Sequence, residues 1–228
     1  MFKSILFSVL LGFAISASAS NTLTVGVESD NIFRGESLTG DGVSGLVGLR
    51  FDDLFRTGLY LRADGTTTQL TPVTDNVRFR SDVGVGLLLN VGDLTIDGSL
   101  NRVLNPVLHE SDYNEARLFV RTNSDALGIF NVYGHVNYTL NERNDFYTGA
   151  GVIADLGRLS LRAGGNWYVF EEETGFSTGN FSRNNWDAGA EFNLWRNFTL
   201  TGLFSDGGVG LSGDRIGREW SVGVRATF

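Results

Sequence analysis

Arginines and carboxylates alternate with apolar or small residues along this chain, and they are its main candidates for chemistry. Arg78, Arg80 and Asp82, for example, are separated by single residues. In an extended strand such residues point to the same face. A face of guanidinium and carboxylate groups could bind polar solutes, or the same groups could pair and seal it. The candidate residues are Arg50, Arg62, Asp64, Arg78, Arg80, Asp82, Arg117, Arg121, Arg162, Glu28, Asp30, Asp187, Glu191 and Arg225.

Other reactive groups are few and poorly placed for catalysis or metal binding. The chain has no Cys and 2 His, His109 beside Glu110 and His135 on a polar strand face, at no metal-ligand spacing. No Gly-x-Ser-x-Gly nucleophile motif occurs. The run Gly207–Gly213 lacks the lysine of a phosphate loop, and Glu171–Glu173 could bind divalent cations or form a solvated acidic loop. We predict no catalytic residue, cofactor or metal, and an enzyme is the least favoured class.

The final segment, Glu219–Phe228, illustrates the element that carries the charged residues. Its apolar residues occupy every second position from Trp220 to Phe228, and polar or small residues fill the others. This period of two is that of a β-strand with one apolar and one polar face. About twelve such segments follow one another, and their connections alternate between short and long. The sequence therefore predicts an all-β fold, a transmembrane antiparallel up-and-down β-barrel of about twelve strands with short periplasmic turns and longer external loops.

Some strand limits are set by this pattern and others are not. We expect the first strand to run from about Thr22 to Phe33, and a long external loop to occupy Glu171 to Asn185. The alternation is weakest in the eighth strand, Asp145 to Ala154, where it leaves the register open. An even number of strands places both chain ends on the periplasmic side.

Composition and aromatic positions favour a membrane barrel over its alternative, a soluble sandwich or lipocalin-like barrel. The mean hydropathy is −0.02, and no apolar run of about 20 residues follows the N-terminal segment. In a soluble barrel the apolar face would be the core, whereas here the polar face combines paired charges with many of the 30 Gly residues. Aromatic residues near strand ends predict interfacial girdles. These are Phe51, Phe130, Phe198 and Phe228 at one rim, and Phe33, Tyr138, Trp167, Trp186 and Trp220 at the other.

The N-terminal segment predicts export. Residues 1–19 read as a signal peptide, with Lys3, the apolar stretch Ile5–Ile15 and a small-residue cleavage site at Ala17 to Ala19. The mature barrel, residues 20–228, is expected in the cell outer membrane, in contact with lipid and lipopolysaccharide. Phe228 is the predicted signal for the barrel-assembly machinery. A net charge of −8 with a single lysine argues against nucleic acid as a partner.

A short motif adds a family resemblance. Residues Ser29–Ser37 read S-D-N-I-F-R-G-E-S, which resembles the opening motif of the TorF (Gcw_chp) family of proteobacterial outer-membrane proteins. The similarity extends to about Tyr60, and beyond it only length and pattern agree. The family is regarded as candidate channels without an assigned substrate, so the resemblance implies location more than activity. Asp30 and Arg34 are expected on the lumen face, where they could pair and fix the start of the first loop.

The predicted function is a small passive channel for small hydrophilic solutes. The alternative is a sealed barrel with a structural or adhesive role through its external loops, because about twelve strands lies between filled and open barrels. We expect the arginines of strands two to six to crowd one wall and the acids of strands one, ten and twelve the other, with a transverse field between them. The separation is partial, because Asp64, Asp82, Asp97 and Glu115 lie on the basic wall and Arg162 and Arg225 lie outside it. Lumen glycines, including Gly48, Gly84 and Gly86, would leave room for water. In the opposing interpretation, the same charges bridge the lumen and plug it.

Overall fold

The computed structural model describes residues 20–30, 32–33, 36–37, 42–68, 78–104, 112–123, 128–140, 145–174, 177–207 and 217–228. Within these ranges only the backbone is described for residues 33, 36–37, 68, 78, 170–174 and 177–183. The predicted signal peptide, Arg34 and His109 lie outside the described residues. None of the helices in the described ranges is long and apolar enough to cross a membrane.

The described chain forms a closed antiparallel β-barrel of twelve strands, which confirms the fold predicted from the alternation. Each barrel strand pairs with the next one along the chain, and the last pairs with the first. The barrel strands are β1 (Ser20–Glu28), β4 (Ser44–Leu54), β5 (Leu59–Thr68), β6 (Arg78–Val91), β7 (Leu94–Leu104), β8 (Tyr113–Thr122), β9 (Phe130–Thr139), β10 (Phe146–Leu156), β11 (Leu159–Thr174), β12 (Ser177–Trp195), β13 (Phe198–Asp206) and β14 (Arg218–Thr227). Two short strands, β2 (Ile32–Phe33) and β3 (Glu36–Ser37), form a separate hairpin.

The first strand closes the barrel. β1 pairs with β4 along its whole length and with β14 from Thr24 to Glu28. Next to this ladder, Leu23 and Phe228 exchange two backbone hydrogen bonds with N–O distances of 2.9 and 2.8 Å. A closed ladder has no strand edge with unpaired N–H and C=O groups, which a hydrocarbon environment would not tolerate. Phe228 is therefore part of the seam that completes the sheet.

Outward and inward faces alternate as predicted. On β6, the side chains of Phe79, Val83, Val85 and Leu87 face outward and are between 39% and 47% exposed. The apolar side chains that are buried among the described residues are few by comparison. A continuous apolar outer surface of this kind exceeds what soluble monomers expose. The soluble alternative, in which the apolar face is the core, does not fit this arrangement.

The two ends of the barrel differ. Tight turns follow β6 and β10, where Gly92 and Gly157 adopt φ angles of 56° and 74°, a region that glycine enters without steric cost. These turns share one end, here called the turn end, with the start of β1 and the end of β14. The opposite end, called the loop end, carries longer connections such as residues 69–77, 105–112 and 207–217. The predicted contrast of short turns and longer loops is therefore present.

Aromatic side chains lie near both ends of the outer surface. At the loop end, Trp186, Phe204 and Trp220 on neighbouring strands contact one another, with ring centroids 4.8 and 4.3 Å apart. At the turn end, Phe198 and Phe228 are 40% and 61% exposed. Trp220 lies about 27 Å along the strand from Phe228, close to the apolar band of about 25 Å that outer-membrane barrels present.

The predicted long loop Glu171–Asn185 is wrong, because most of this segment is strand. β11 and β12 pair continuously from Leu159 with Phe192 to Thr174 with Ser177. The hairpin therefore extends well past its neighbours at the loop end. Its polar, Gly-containing sequence lacks apolar alternation because backbone pairing beyond the lipid requires no apolar face.

The predicted first strand was too long. β1 ends at Glu28, and the chain then stays attached to β14 through a hydrogen bond of 2.7 Å from Ser221 Oγ to the backbone oxygen of Asp30. Ile32 of β2 leaves the wall and lines the barrel interior. The alternation continues to Phe33 because a small hairpin has the same period of two as the barrel wall.

Lumen glycines are covered by neighbouring side chains, so the space directly beside them at the wall is occupied by protein atoms. A Cβ atom at Gly86 would lie 2.2 Å from Tyr60 Cζ, and one at Gly84 would lie 2.1 Å from Asn101 Oδ1. The long side chains therefore lie along the wall instead of pointing straight across the lumen. The covered glycines and their covering residues are Gly26 with Arg225, Gly48 with Asp64, Gly84 with Asn101, Gly86 with Tyr60, Gly164 with Tyr133 and Gly223 with Glu28.

This packing makes a prediction for Gly86→Ala. The added methyl group would overlap the ring of Tyr60, so we expect the free energy of unfolding to fall by about 1–3 kcal/mol, as measured by urea titration in lipid vesicles. The matched control is Gly98→Ala on β7, where no atom lies within 4 Å of an added Cβ; its effect should stay within about 0.5 kcal/mol. Equal stability of the two variants would show that Tyr60 is not held against Gly86.

Candidate functional site

Asp82 is the centre of a charged cluster on the lumen face, called the Asp82 cluster. Its Oδ2 atom lies 3.3 Å from Arg62 Nη2 and 2.5 Å from Arg117 Nη2. Arg117 Nε also lies 2.5 Å from Glu115 Oε2, whose side chain is only 1% exposed. Asp64 Oδ2 is 3.8 Å from Arg62 Nε. The two guanidinium groups thus share three carboxylates, so the cluster carries no excess of positive charge.

Tyr60 extends the charged region towards β4 and β7. The side chain is 1% exposed, and its hydroxyl donates to Asp97 Oδ1 at 2.5 Å. The guanidinium carbon of Arg50 lies 3.9 Å from the Tyr60 ring centroid, and Arg50 Nε is 2.5 Å from Asp52 Oδ1. Arg50, Arg62 and Arg117 are therefore bonded to acids of the same wall. Asp64, Asp82 and Glu115 lie among these arginines, so charge pairing within and between strands weakens the transverse field on this wall.

A second group of charges spans the closing seam. Arg225 Nη2 on β14 lies 2.6 Å from Glu28 Oε1 on β1, and Arg225 Nη1 lies 4.0 Å from Glu191 Oε1 on β12. The acids expected on this wall thus have a cation among them. Asp30 does not belong to a strand face: it follows the end of β1 and is 2% exposed.

The other predicted arginines are spread over the lumen. Arg80 Nη2 donates to Tyr113 Oη at 2.9 Å. Arg121 is exposed close to the turn end of β8. Arg78 lies at the start of β6, and its side chain is outside the described residues. Within the described ranges, no group of three or more His, Cys, Asp or Glu residues could hold a metal ion.

Among the described residues, two adjoining cavities lie in the lumen beside the Asp82 cluster. The first, called the aromatic cavity, has a volume of about 320 Å³ and lies against β8 to β13. The second, called the seam cavity, has a volume of about 430 Å³ and lies against β1, β4, β5 and β11 to β14. Ile32, Arg162 and Leu203 line both cavities. The cavities therefore meet where Ile32 projects from β2 into the interior.

A row of aromatic rings forms one side of the aromatic cavity. Phe119, Tyr133, His135, Tyr147 and Tyr168 follow one another across β8 to β11, with centroid distances of 5.8, 6.5, 5.1 and 6.0 Å. The first four line the cavity. Sequence reasoning did not assign these residues to a site. The available signal was the presence of aromatics on polar strand faces, together with Phe119, which breaks the alternation of its strand.

The β11 to β13 side of the aromatic cavity is polar. Arg162, Asn166, Asn185, Asp187 and Ser205 line it. Asn166 Nδ2 donates to Asp187 Oδ2 at 2.7 Å. Of the residues predicted from the sequence, Arg162 and Asp187 meet here, whereas Glu28, Asp64, Glu191 and Arg225 meet around the seam cavity.

Comparison with solved structures identifies the type of barrel. A KdgM porin superposes with a TM-score of 0.61 at 10% sequence identity, over 91% of this chain and 99% of that chain. A NanC porin superposes with a TM-score of 0.58 at 10% identity, over 91% and 99% of the two chains. An outer membrane channel from Pseudomonas putida F1 gives 0.60 at 9% identity, over 92% and 94%. The chain has the fold of outer-membrane porins.

Sequence comparisons add no closer relative. No protein-family model matches the chain, and no curated protein matches it. At sequence identities near 10%, the likeness to the solved porins establishes the shared fold alone.

The Asp82 cluster predicts a large effect of Arg117→Ala. Removal of the guanidinium leaves buried Glu115 without its close cation and leaves the negative charge of Asp82 less well neutralised. We therefore expect the free energy of unfolding, measured by urea titration, to fall by about 3–5 kcal/mol. The control is Arg102→Ala, because Arg102 has a side chain 45% exposed and lies 3.5 Å from Asp112; its cost should be below about 1 kcal/mol. Similar losses in both variants would mean that solvent, not Arg117, stabilises the two acids.

Proposed function

We propose that this protein is a passive channel for small hydrophilic solutes in the cell outer membrane. The observation that carries the proposal is the pair of adjoining cavities inside the barrel, lined mostly by polar and aromatic residues. Barrels of about eight strands are filled by their own side chains, and those of sixteen or more hold a water channel. This barrel is of intermediate size. Its side chains that lie flat over wall glycines do not extend across the lumen, so part of the interior stays free.

The outer-membrane location is supported by the outer surface and the N-terminal sequence. An apolar band between aromatic belts suits contact with lipid and, on the outer leaflet, lipopolysaccharide. The signal peptide, residues 1–19, would direct export and would be cleaved ahead of the barrel. We also propose membership of the TorF family, on the motif Ser29–Ser37.

The role is passive and not catalytic in this proposal. Three solved proteins that share the fold are named as porins or channels. One KdgM porin was solved in complex with disordered oligogalacturonate, which supports a hydrophilic solute for this chain as well. Here, however, Arg50, Arg62 and Arg117 are engaged by carboxylates, so strong selection for anionic solutes is not expected.

The second candidate function, a sealed barrel that acts through its loops, is favoured by one observation. The Asp82 cluster and Tyr60 fill the β5 to β8 side of the lumen with paired charges. Electrical conductance decides between the two functions, because a sealed barrel passes no ions.

Ile32 provides the test of the channel. We expect the purified protein to conduct in planar lipid bilayers, and Ile32→Ala to raise the single-channel conductance because a smaller side chain widens the junction of the two cavities. The control is Val25→Ala on the outer face of β1, where the side chain is 38% exposed and faces lipid; it should conduct as the wild type does. Absence of current from well-folded wild type and Ile32→Ala would establish the sealed barrel.

The role of Phe228 yields a separate prediction about the assembly machinery. Phe228→Ala removes the ring but keeps the two backbone hydrogen bonds to Leu23. We expect a lower yield of outer-membrane barrel in cells and unchanged refolding into lipid vesicles, because only the first requires recognition by the machinery. Phe198→Ala, which removes another exposed aromatic at the turn end, should not lower the cellular yield. A normal cellular yield of Phe228→Ala would contradict the signal role.

A further inference from the structure

Two buried polar side chains of the aromatic cavity have unsatisfied hydrogen-bonding atoms. Asn185 on β12 is 7% exposed and Ser205 on β13 is 1% exposed. Within the part of the chain that the structure describes, neither Asn185 Oδ1 nor Ser205 Oγ has a hydrogen-bond partner. Buried polar atoms are rarely left unpaired, because their desolvation is not compensated. Both residues line the cavity, so a ligand there could supply the missing hydrogen bonds.

The opposite side of the cavity offers an aromatic surface of fixed geometry. The Phe119 and Tyr133 rings are stacked with an interplanar angle of 23°, and those of Tyr133 and His135 with an angle of 13°. Tyr133 is held against the wall by Gly151 and Gly164, where an added Cβ would come within 2.6 and 2.3 Å of its hydroxyl. The face of an aromatic ring carries negative partial charge and attracts the C–H groups of a saturated ring.

The charges of the cavity indicate an uncharged ligand. Arg162 and Asp187 contribute one charge of each sign to its lining. The volume of about 320 Å³ lies at the small end of the range for ligand pockets, which starts at about 300 Å³. A ligand that fits has one ring, an apolar C–H face and several hydroxyl groups at its edge. A monosaccharide in the pyranose form combines these properties.

We propose that the aromatic cavity is a binding subsite for an uncharged pyranose sugar. The C–H face of the sugar stacks on the rings of Tyr133 and its neighbours, and its hydroxyl groups donate to Asn185 Oδ1 and hydrogen-bond with Ser205 Oγ. This inference rests on the proposed channel function, in which the sugar is a solute that passes through the lumen. A subsite of this kind makes passage selective for saccharides over other hydrophilic solutes of similar size.

Ligand chemistry is tested first, by saturation-transfer NMR titrations of the detergent-solubilised full barrel. Glucose should bind saturably. Sorbitol, which has the hydroxyl groups but no ring face, should bind about tenfold more weakly through the loss of stacking. Glucuronate, which keeps the ring but adds a negative charge, should also bind more weakly because the cavity has no unpaired excess of positive charge. Equal binding of the three compounds would overturn the proposal.

Asn185→Leu tests the polar contact. This change removes Oδ1 at similar volume, so glucose affinity should fall about tenfold, whereas stability in urea should not fall because that atom bonds no described group. Ser205→Ala is a second variant with the same expectation. The control is Asn131→Leu, since Asn131 is 4% exposed, donates to Asp155 Oδ2 at 3.0 Å and is not among the residues that line the cavity. It should lose stability and keep glucose binding.

The outcomes separate this inference from the channel function. Unchanged glucose binding by both Asn185→Leu and Ser205→Ala, or no saturable binding by the folded wild type, would overturn the sugar site. Current in planar bilayers without glucose binding would support the channel function and contradict the sugar subsite. Glucose binding by a barrel that passes no current would contradict the channel while the sugar site remains supported.

Discussion

Backbone hydrogen bonding without access to water is the constraint on which this structure depends. A sheet in hydrocarbon must pair every strand on both sides, so the twelve strands close into a ring through β1 and β14. Closure defines an outer surface, which must be apolar, and confines charged side chains to the lumen. Turns, loops and aromatic belts then lie at the two ends, where water and lipid headgroups are available.

Glycines in the wall determine how the lumen is occupied. A long side chain can lie flat only where the neighbouring strand lacks a Cβ atom, as Tyr60 does over Gly86 and Tyr133 over Gly164. Glycine therefore acts here through its small size, not through unusual backbone angles. Side chains that follow the wall pack against neighbouring strands, and the two cavities remain in the interior.

Charge pairing is concentrated in one part of the lumen, beside the two cavities. Around Asp82, arginines and acids neutralise one another within a compact network. The aromatic cavity lies against β8 to β13, and the seam cavity lies against β1, β4, β5 and β11 to β14. The segment that carries the TorF-like motif separates these cavities, because Asp30 is bonded to Ser221 and Ile32 projects inward. A lumen with balanced charges, an aromatic row and unpaired amide and hydroxyl groups suits neutral polar solutes better than ions.

Local alternation in the sequence was sufficient for the barrel, its approximate strand number and the direction of most side chains, since each of these depends only on the period of a strand. Contacts across the lumen could not be predicted from local alternation. Arg117 bonds Asp82 from 35 positions away, and which residues meet depends on interstrand register and on closure of the ring. Register and closure therefore decide which arginines and acids pair. The loop predicted at Glu171 to Asn185 was wrong because a polar hairpin beyond the lipid shows no apolar alternation, and the predicted first strand was too long because the small hairpin after it has the same period. Only the tertiary structure placed Arg62 and Arg117 beside Asp82, paired the polar hairpin and brought Asn185 and Ser205 to face the aromatic row.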